Sequence, residues 1–531
     1  MTVTDATATP TTGRTGRYRR LRRLLRPFPL VIVAASVGAP FLGYANANQE
    51  QRFSAPTITL YAVGVFLVSM GAVAVLTALT RRADPDRLAV AVGVTVVSFF
   101  SYSRWLSILP PTTALLVANL GAWTLLTAVA ARLAFVVGAR SGFRQWLAAT
   151  LVIICAVNLA GLTVLAGPMG SVDREAGTAA ATSPEDLVRS PNVYYFLLDG
   201  YARNDVIAAD LGGNNAAFHD ELRARGFEVT EHSVASYPMT FLSMMTIFES
   251  GYPADEPADF EGKTIDFDRY VRGGNTAVER FDQLGYQFIH SHAGPFSFTR
   301  CTDTYADVCI PPDARNGGAS DLEITLLGLT PLGPLDLLTA PRTDPEYVLD
   351  QLEAAEVDEP FFLFAHILSP HAPYYFDESC DRRAQLVSRA ALDLEGNHAA
   401  YLNEIDCVNA SLLRTIDRIE RNDPDAVIVL NSDHGTEFQT PWDAPLAEWT
   451  TDQLRERFAN QNALRLPAEC QGDVLDDTPT VHTFEIVFAC LEGREPDLVE
   501  VRSFLWRPNA PHTVEELDDE QLAAIQGSDE P

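Results

Sequence analysis

Two apolar runs in this 531-residue chain end on side chains that can hold a cation. NVYYFLLD (192–199) closes on Asp199, and AVIVLNSD (426–433) closes on Asp433, with His434 next. Beyond the carboxyl ends of strands in an open α/β sheet, neighbouring side chains converge on one crevice. Two carboxylates and an imidazole meeting there make a donor set for one divalent cation. Between them lies SVASYPMTFLSMMTIFESGYP (233–253), dense in hydroxyls at Ser236, Thr240, Ser243 and Thr246. A Thr hydroxyl is a poor nucleophile at neutral pH until a cation or a base lowers its pKa, and the expected donor set could do that. Taken singly, each feature has an ordinary structural explanation: an Asp at a strand end caps a helix or makes a turn, and a Ser/Thr-rich run starts a helix.

Those side chains need a scaffold that brings distant strand ends together. Four short apolar or aromatic runs read as buried strands: 192–199, YQFIHSH (286–292), FFLFAHI (361–367) and 426–433. They alternate with helical patterns at 215–227, 276–286 and 398–421, which predicts an α/β fold with a largely parallel sheet. His292 and His366 end two of the strands and are candidates for supporting the cation ligands or binding substrate. His482, in TPTVHTFEIVF, follows the Asp433–His434 motif as a second-site metal ligand would, but no compact Asp and His pair precedes the motif, so one metal is favoured.

The N-terminal third is different material. Five apolar stretches, 28–46, 57–80, 87–104, 112–137 and 146–166, reach or approach the ~20 residues needed to cross a bilayer as a helix. Arg residues gather before the first stretch and in the loops 81–87 and 138–145, while the alternate loops 47–56 and 105–111 hold only Arg52, with Arg104 at one edge. Short cytoplasmic loops retain positive charge, so the N-terminus is expected inside and everything past the fifth span outside. The chain then divides into a basic cytoplasmic arm (1–27), a transmembrane domain (28–166), a linker (167–190), an extracytoplasmic catalytic domain (191–508) and an acidic tail (509–531), read as a solvated helix and disorder.

The net charge is −31, and the first 30 residues hold seven Arg against one Asp, so the remainder is still more acidic. No basic face is available for nucleic acid. Six of seven cysteines, Cys301, Cys309, Cys380, Cys407, Cys470 and Cys490, lie past the last span, as suits disulfides in an oxidising compartment. Nearest-neighbour pairing is the simplest arrangement of the six. Cys155 falls within the fifth span.

The ordered set Asp199, a hydroxyl-bearing turn, PHAPY (370–374) and SDHG (432–435) resembles the sulfatase and phosphotransferase branch of the alkaline phosphatase superfamily, over roughly 190–490. The sulfatase nucleophile pattern places Pro at +2, Ser at +3, Arg at +4 and a closing Pro at +13. Thr240 as nucleophile sets Ser243 at +3 and Pro253 at +13, but Leu242 and Met244 stand at +2 and +4, so the formylglycine signature is absent. A Thr nucleophile beside polytopic helices is instead similar to lipoteichoic acid synthases and phosphoethanolamine transferases. That resemblance implies that Thr240, Asp433, His434 and Asp199, where the relatives usually have Glu, bind one divalent ion (Mn, Zn, Mg or Ca). It also implies that His371 of PHAPY contacts the phosphoryl oxygens or the leaving group. The implied fold is a five-span membrane domain followed by an alkaline-phosphatase-like α/β domain. The implied activity is transfer of a phospho-alcohol group from a membrane lipid to an envelope acceptor. A sulfatase-like hydrolase of extracellular esters and a non-catalytic receptor retaining the fold are the alternatives.

Overall fold

The computed structural model describes residues 27–47, 55–80, 83–108, 116–165, 170–171, 183–252, 263–264, 267–294, 301, 305–313, 321–333, 343–387, 389, 392–507 and 513–527. The expected basic arm and most of the expected linker lie outside these residues, as does Pro253. The chain divides into two units, one of 1–168 with 322–337, the other of 169–321 with 338–531.

The first unit is helical: α1 (Pro27–Ala47), α2 (Ala55–Leu79), α3 (Pro85–Phe99), α4 (Tyr102–Ile108), α5 (Leu116–Val137) and α6 (Ser141–Leu165). Four stretches, Pro27–Ala45, Pro56–Leu79, Val117–Val137 and Ser141–Ala160, are long and apolar enough to cross a membrane. The remaining expected span, 87–104, is split between α3 and α4, with Ser101 Oγ donating back to Val97 O at 2.7 Å where the helix turns. A 15-residue helix rises about 22 Å, short of the ~30 Å apolar core of a bilayer. The two Arg-bearing loops meet: Arg144 approaches Asp84 at 3.8 Å and Asp86 at 3.9 Å, and the Arg87 guanidinium lies 4.2 Å over the Phe135 ring.

The second unit is built on β1 (Val193–Leu198), β2 (Phe227–Val229), β3 (Gln287–Ser291), β4 (Val308–Ile310), β5 (Phe361–Ile367), β6 (Val427–Ser432) and β7 (Asn462–Arg465). They form one seven-stranded sheet in the order β2-β7-β6-β1-β5-β3-β4, parallel from β6 to β4 and closed at the other edge by the antiparallel β7 and β2. All four expected strands are present. β1, β5 and β6 are buried along their whole length, which is why they read as continuous apolar runs rather than alternating ones. Helices cover the two faces. Among them are α7 (Ala216–Ala224), α8 (Thr240–Glu249), α9 (Thr276–Gln283), α11 (Pro345–Ala354), α12 (Leu394–Asn422), α13 (Thr451–Phe458) and α14 (Thr483–Glu492), whereas α10 (Asp321–Gly328) falls almost wholly in the first unit. Local sequence sets their starts: Asn275, Asp344 and Asp393 each accept a hydrogen bond from the first turn that follows, and Thr450 with Gln453 makes a reciprocal cap.

Disulfides join Cys301 to Cys309, Cys380 to Cys407 and Cys470 to Cys490, the nearest-neighbour pairs. The end of the chain differs from its sequence reading as a solvated acidic tail. Val514–Glu516 (β9) pairs with Phe504–Trp506 (β8), and α15 (Asp519–Gln526) follows, with Val514, Leu517 and Ile525 buried. Its acidic residues face outwards around a few apolar anchors, too few to register as a pattern.

Candidate active site

The site begins with register. β1 and β6 are parallel neighbours paired Leu198 to Ser432, so the next residues, Asp199 and Asp433, leave the sheet side by side. Backbone conformation then fixes their direction. Gly200 adopts φ +67°, a left-handed conformation in which a Cβ would also touch His371 and His434 at 3.5 Å. At Gly435 a Cβ would collide with the Glu456 carbonyl. The Gly200 and His434 N–H groups both donate to Asp433 Oδ1 at 2.9 Å, and Tyr401 on α12 donates to the Gly200 carbonyl at 2.8 Å.

His434 Nδ1 donates to the Gly435 carbonyl at 2.9 Å, since that oxygen can only accept. The Nε2 lone pair is therefore turned inward, 3.3 Å from Asp433 Oδ2 and 3.9 Å from Asp199 Oδ1. Both of those oxygens are buried and have no hydrogen-bond partner. The ring cannot meet them by protonating, because burial and then the Arg457 charge push its pKa down to about 3. Burial and then Asp199 push Asp433 up to about 6. Burial would raise Asp199 too, but His371, His366 and His434 outweigh it and hold that carboxyl below its usual range. Three inward-facing acceptors lie within 4.8 Å of one another, and one divalent cation fits them.

Thr240 is the first residue of α8, partly exposed, with Oγ1 3.2 Å from His434 Nε2. Its neighbours are occupied elsewhere: Ser243 donates to the Tyr237 carbonyl at 2.7 Å, Thr246 to that of Ser243 at 2.8 Å, and all three of Ser236, Ser243 and Thr246 are buried. A helix N-terminus also favours negative charge, on an alkoxide or on a phosphoryl group.

His366 stands at the end of β5 with Nε2 3.3 Å from Asp199 Oδ2 and its side chain wholly buried. It stands behind the Asp199 carboxylate, enclosed on all sides. His371 is a third exposed, its N–H donating to the Asp199 carbonyl at 3.1 Å and its Nδ1 to Ala372 O at 2.6 Å. His292, just past β3, accepts from Gly294 N–H at 3.0 Å through Nδ1. His482 points away, its Nε2 bonded to Val499 O at 2.8 Å.

Several supporting residues escape sequence reasoning. Arg457, 2% exposed, donates through Nε and Nη2 to the Pro238 carbonyl and through Nη1 to Gly435 O, tying the turn before Thr240 to the turn after His434. Buried Glu404 accepts from Ser369 Oγ at 2.8 Å and from the Tyr375 and Phe376 N–H groups, which holds the PHAPY loop. Glu437 lies 3.8 Å from His371 Nε2 and pairs with Arg389; burial is outweighed by Arg457 and Arg389, so it stays ionised. In the sequence, Glu404 falls within the helical pattern 398–421 and Arg457 among other charged residues, with nothing to mark either as buried.

Residues 342–467 match the sulfatase family model, a stretch that holds His366, His371, Asp433 and His434. That stretch is the sequence of a sulfatase-like enzyme, and among the described residues four helices long and apolar enough to cross a membrane precede it. Among solved structures, it is similar to the C-terminal periplasmic domain of EcEptC from Escherichia coli, at 14% identity and TM-score 0.42, covering 62% of this chain and 94% of that one. It is similar to the integral membrane lipooligosaccharide phosphoethanolamine transferase A of Neisseria meningitidis, at 13% identity and TM-score 0.38, covering 87% and 95%. It is also similar to the phosphonate monoester hydrolase of Agrobacterium radiobacter, at 14% identity and TM-score 0.39, covering 59% and 80%. No curated protein matches the chain.

Two outcomes follow from this geometry. A protonated Asp433 loses a donor oxygen, so divalent-cation affinity is expected to fall as pH drops through about 6 and to level off above it, while His434 stays neutral throughout. Calorimetric titration of metal-free protein on both sides of that pH checks this, and Asp433→Asn should flatten the profile. Arg457→Lys cannot span both carbonyls with one ammonium, and is expected to lower kcat by about 10- to 100-fold with the metal content unchanged.

Proposed function

We propose that the domain is a metal-dependent phosphotransferase in which Thr240 is the nucleophile, moving a phospho-alcohol group from a membrane lipid to a cell-envelope acceptor. The observation that carries this is the Thr240 hydroxyl, accessible at a helix N-terminus and 3.2 Å from His434 Nε2 beside two buried carboxylates. Asp199, Asp433 and His434, with Thr240, would hold one divalent cation, which when bound lowers the pKa of the hydroxyl and offsets charge on the phosphoryl oxygens.

Thr240 Oγ1 attacks phosphorus, and its proton passes to Asp433, the carboxyl that burial and Asp199 push up to about 6. A new oxygen–phosphorus bond forms as the bond to the lipid alcohol breaks. The departing oxygen takes a proton from His371, which enters the step as imidazolium, through the Nε2 that Glu437 faces while Nδ1–H stays bonded to Ala372 O. The acceptor hydroxyl then gives up its proton to His371 and displaces Thr240 from phosphorus, the departing Oγ1 recovering its proton from Asp433, so the kinetics are ping-pong. His366 fixes the Asp199 carboxylate, and His292 is assigned to the substrate rim. The cytoplasmic N-terminus and extracytoplasmic domain rest on the Arg-bearing loops and on three disulfides, which persist in oxidising compartments.

The family match supports a second reading, a hydrolase of sulfate or phosphate esters in which water is the acceptor. Met244, where the sulfatase pattern has Arg, favours the first. Purified protein offered labelled phosphatidylethanolamine, phosphatidylglycerol and an aryl sulfate is expected to consume a phospholipid; turnover of the aryl sulfate alone would overturn the transferase. Thr240→Ala is expected to cut turnover by about 1000-fold or more, with Thr240→Ser keeping part of it.

A further inference from the structure

The chain leaves the catalytic unit after Asp321 and resumes it at Leu338, and the stretch between belongs to the membrane unit, although it lies far downstream of α6. Its described part, α10 and the turn to Gly333, is packed there through named contacts. Leu322 and Leu326, one helical turn apart, are each only 8% exposed and join the apolar cluster that includes Phe41, Ile58 and Val96. The Leu329 carbonyl accepts from Tyr102 N–H at 3.0 Å, and the Glu323 carboxylate accepts a hydrogen bond from the Tyr61 hydroxyl.

Those two tyrosines lie at corresponding ends of their helices. Tyr61 is in the second turn of α2, and Tyr102 follows the last residues of α3; both are remote from the ends at which α2 stops and α3 starts. Counting passes along the chain, α6 also finishes at that end, where the catalytic unit begins. The return segment therefore re-enters the membrane unit on the face from which the catalytic chain emerges.

We propose that Asp321–Gly333 is a second membrane anchor of the catalytic domain, independent of the linker after α6 and held by the Leu322 and Leu326 side chains and the Tyr61–Glu323 pair. A domain whose chain joins the membrane unit at two separate points stays held there when either connection is cut. The proposal stands on packing within the membrane unit and does not depend on which group is transferred.

The test uses the full-length chain in native membranes with a site-specific protease sequence inserted between residues 174 and 180. After complete cleavage and a high-salt wash, the C-terminal fragment is expected to sediment with the membranes. In Y61C/E323C protein, a short bis-maleimide is expected to couple the two fragments after cleavage. Leu322→Asp with Leu326→Asp is expected to release the cut fragment, with intact disulfides and undiminished cation binding verifying that it is folded. Release of the cut fragment from the unsubstituted segment, absence of coupling, or retention of the folded double variant would each overturn the proposal.

Discussion

Two carboxylates at the ends of adjacent parallel strands cannot avoid one another, and much of the catalytic unit is arranged around that conflict. Unit charges about 4 Å apart repel by roughly 4 kcal/mol even at an effective dielectric near 20. Here the pair is buried, and the nearest imidazole presents a lone pair rather than a proton. Hydrogen bonds from Gly200 and His434 N–H satisfy one Asp433 oxygen and leave the other facing Asp199 and Nε2. A protein that only needed stability would have little reason to assemble such a cluster, since breaking a buried polar network this way is destabilising. A cation reverses the sign of every one of these contacts.

Thr240 is brought to the cluster by elements far apart in sequence. Tyr237 stacks on Phe504 with ring centroids 5.2 Å apart, and Trp506 meets Phe241 edge-on at 5.3 Å, so the C-terminal hairpin braces the turn carrying Thr240. Arg457 fixes the same turn to the Asp433–His434 loop through two carbonyls. The Glu404 carboxylate does the equivalent for the loop carrying His371. These three ties make the relative placement of Thr240, His434 and His371 a property of the packed domain rather than of any one loop.

The proposed cation ligands Asp199 and Asp433 were legible in the sequence because each ends a fully buried strand, where an uninterrupted apolar run stops abruptly at a charge. Thr240 was separable from its neighbouring hydroxyls only through the spacing to Ser243 and Pro253 in a resembled pattern, and burial of Ser243 and Thr246 supplies the physical reason. Strand β7 was invisible: NALR is four residues long, with a buried Asn462 that donates to the Thr478 carbonyl and cancels the apolar signal. Arg457 and Glu404 were invisible for the opposite reason, since a buried charge inside an amphipathic helix looks the same as an exposed one. In the membrane unit, length rather than composition separated the short α3 from the other spans.

All of these features bear on one claim, that Thr240 receives the transferred group. The direct measurement is tandem mass spectrometry of peptides from full-length protein quenched during turnover of isotopically labelled phospholipid. A phospho-alcohol adduct on Thr240, absent in Thr240→Ala, is the predicted result. Sustained turnover with no adduct at Thr240, or with the label on another residue, would contradict it.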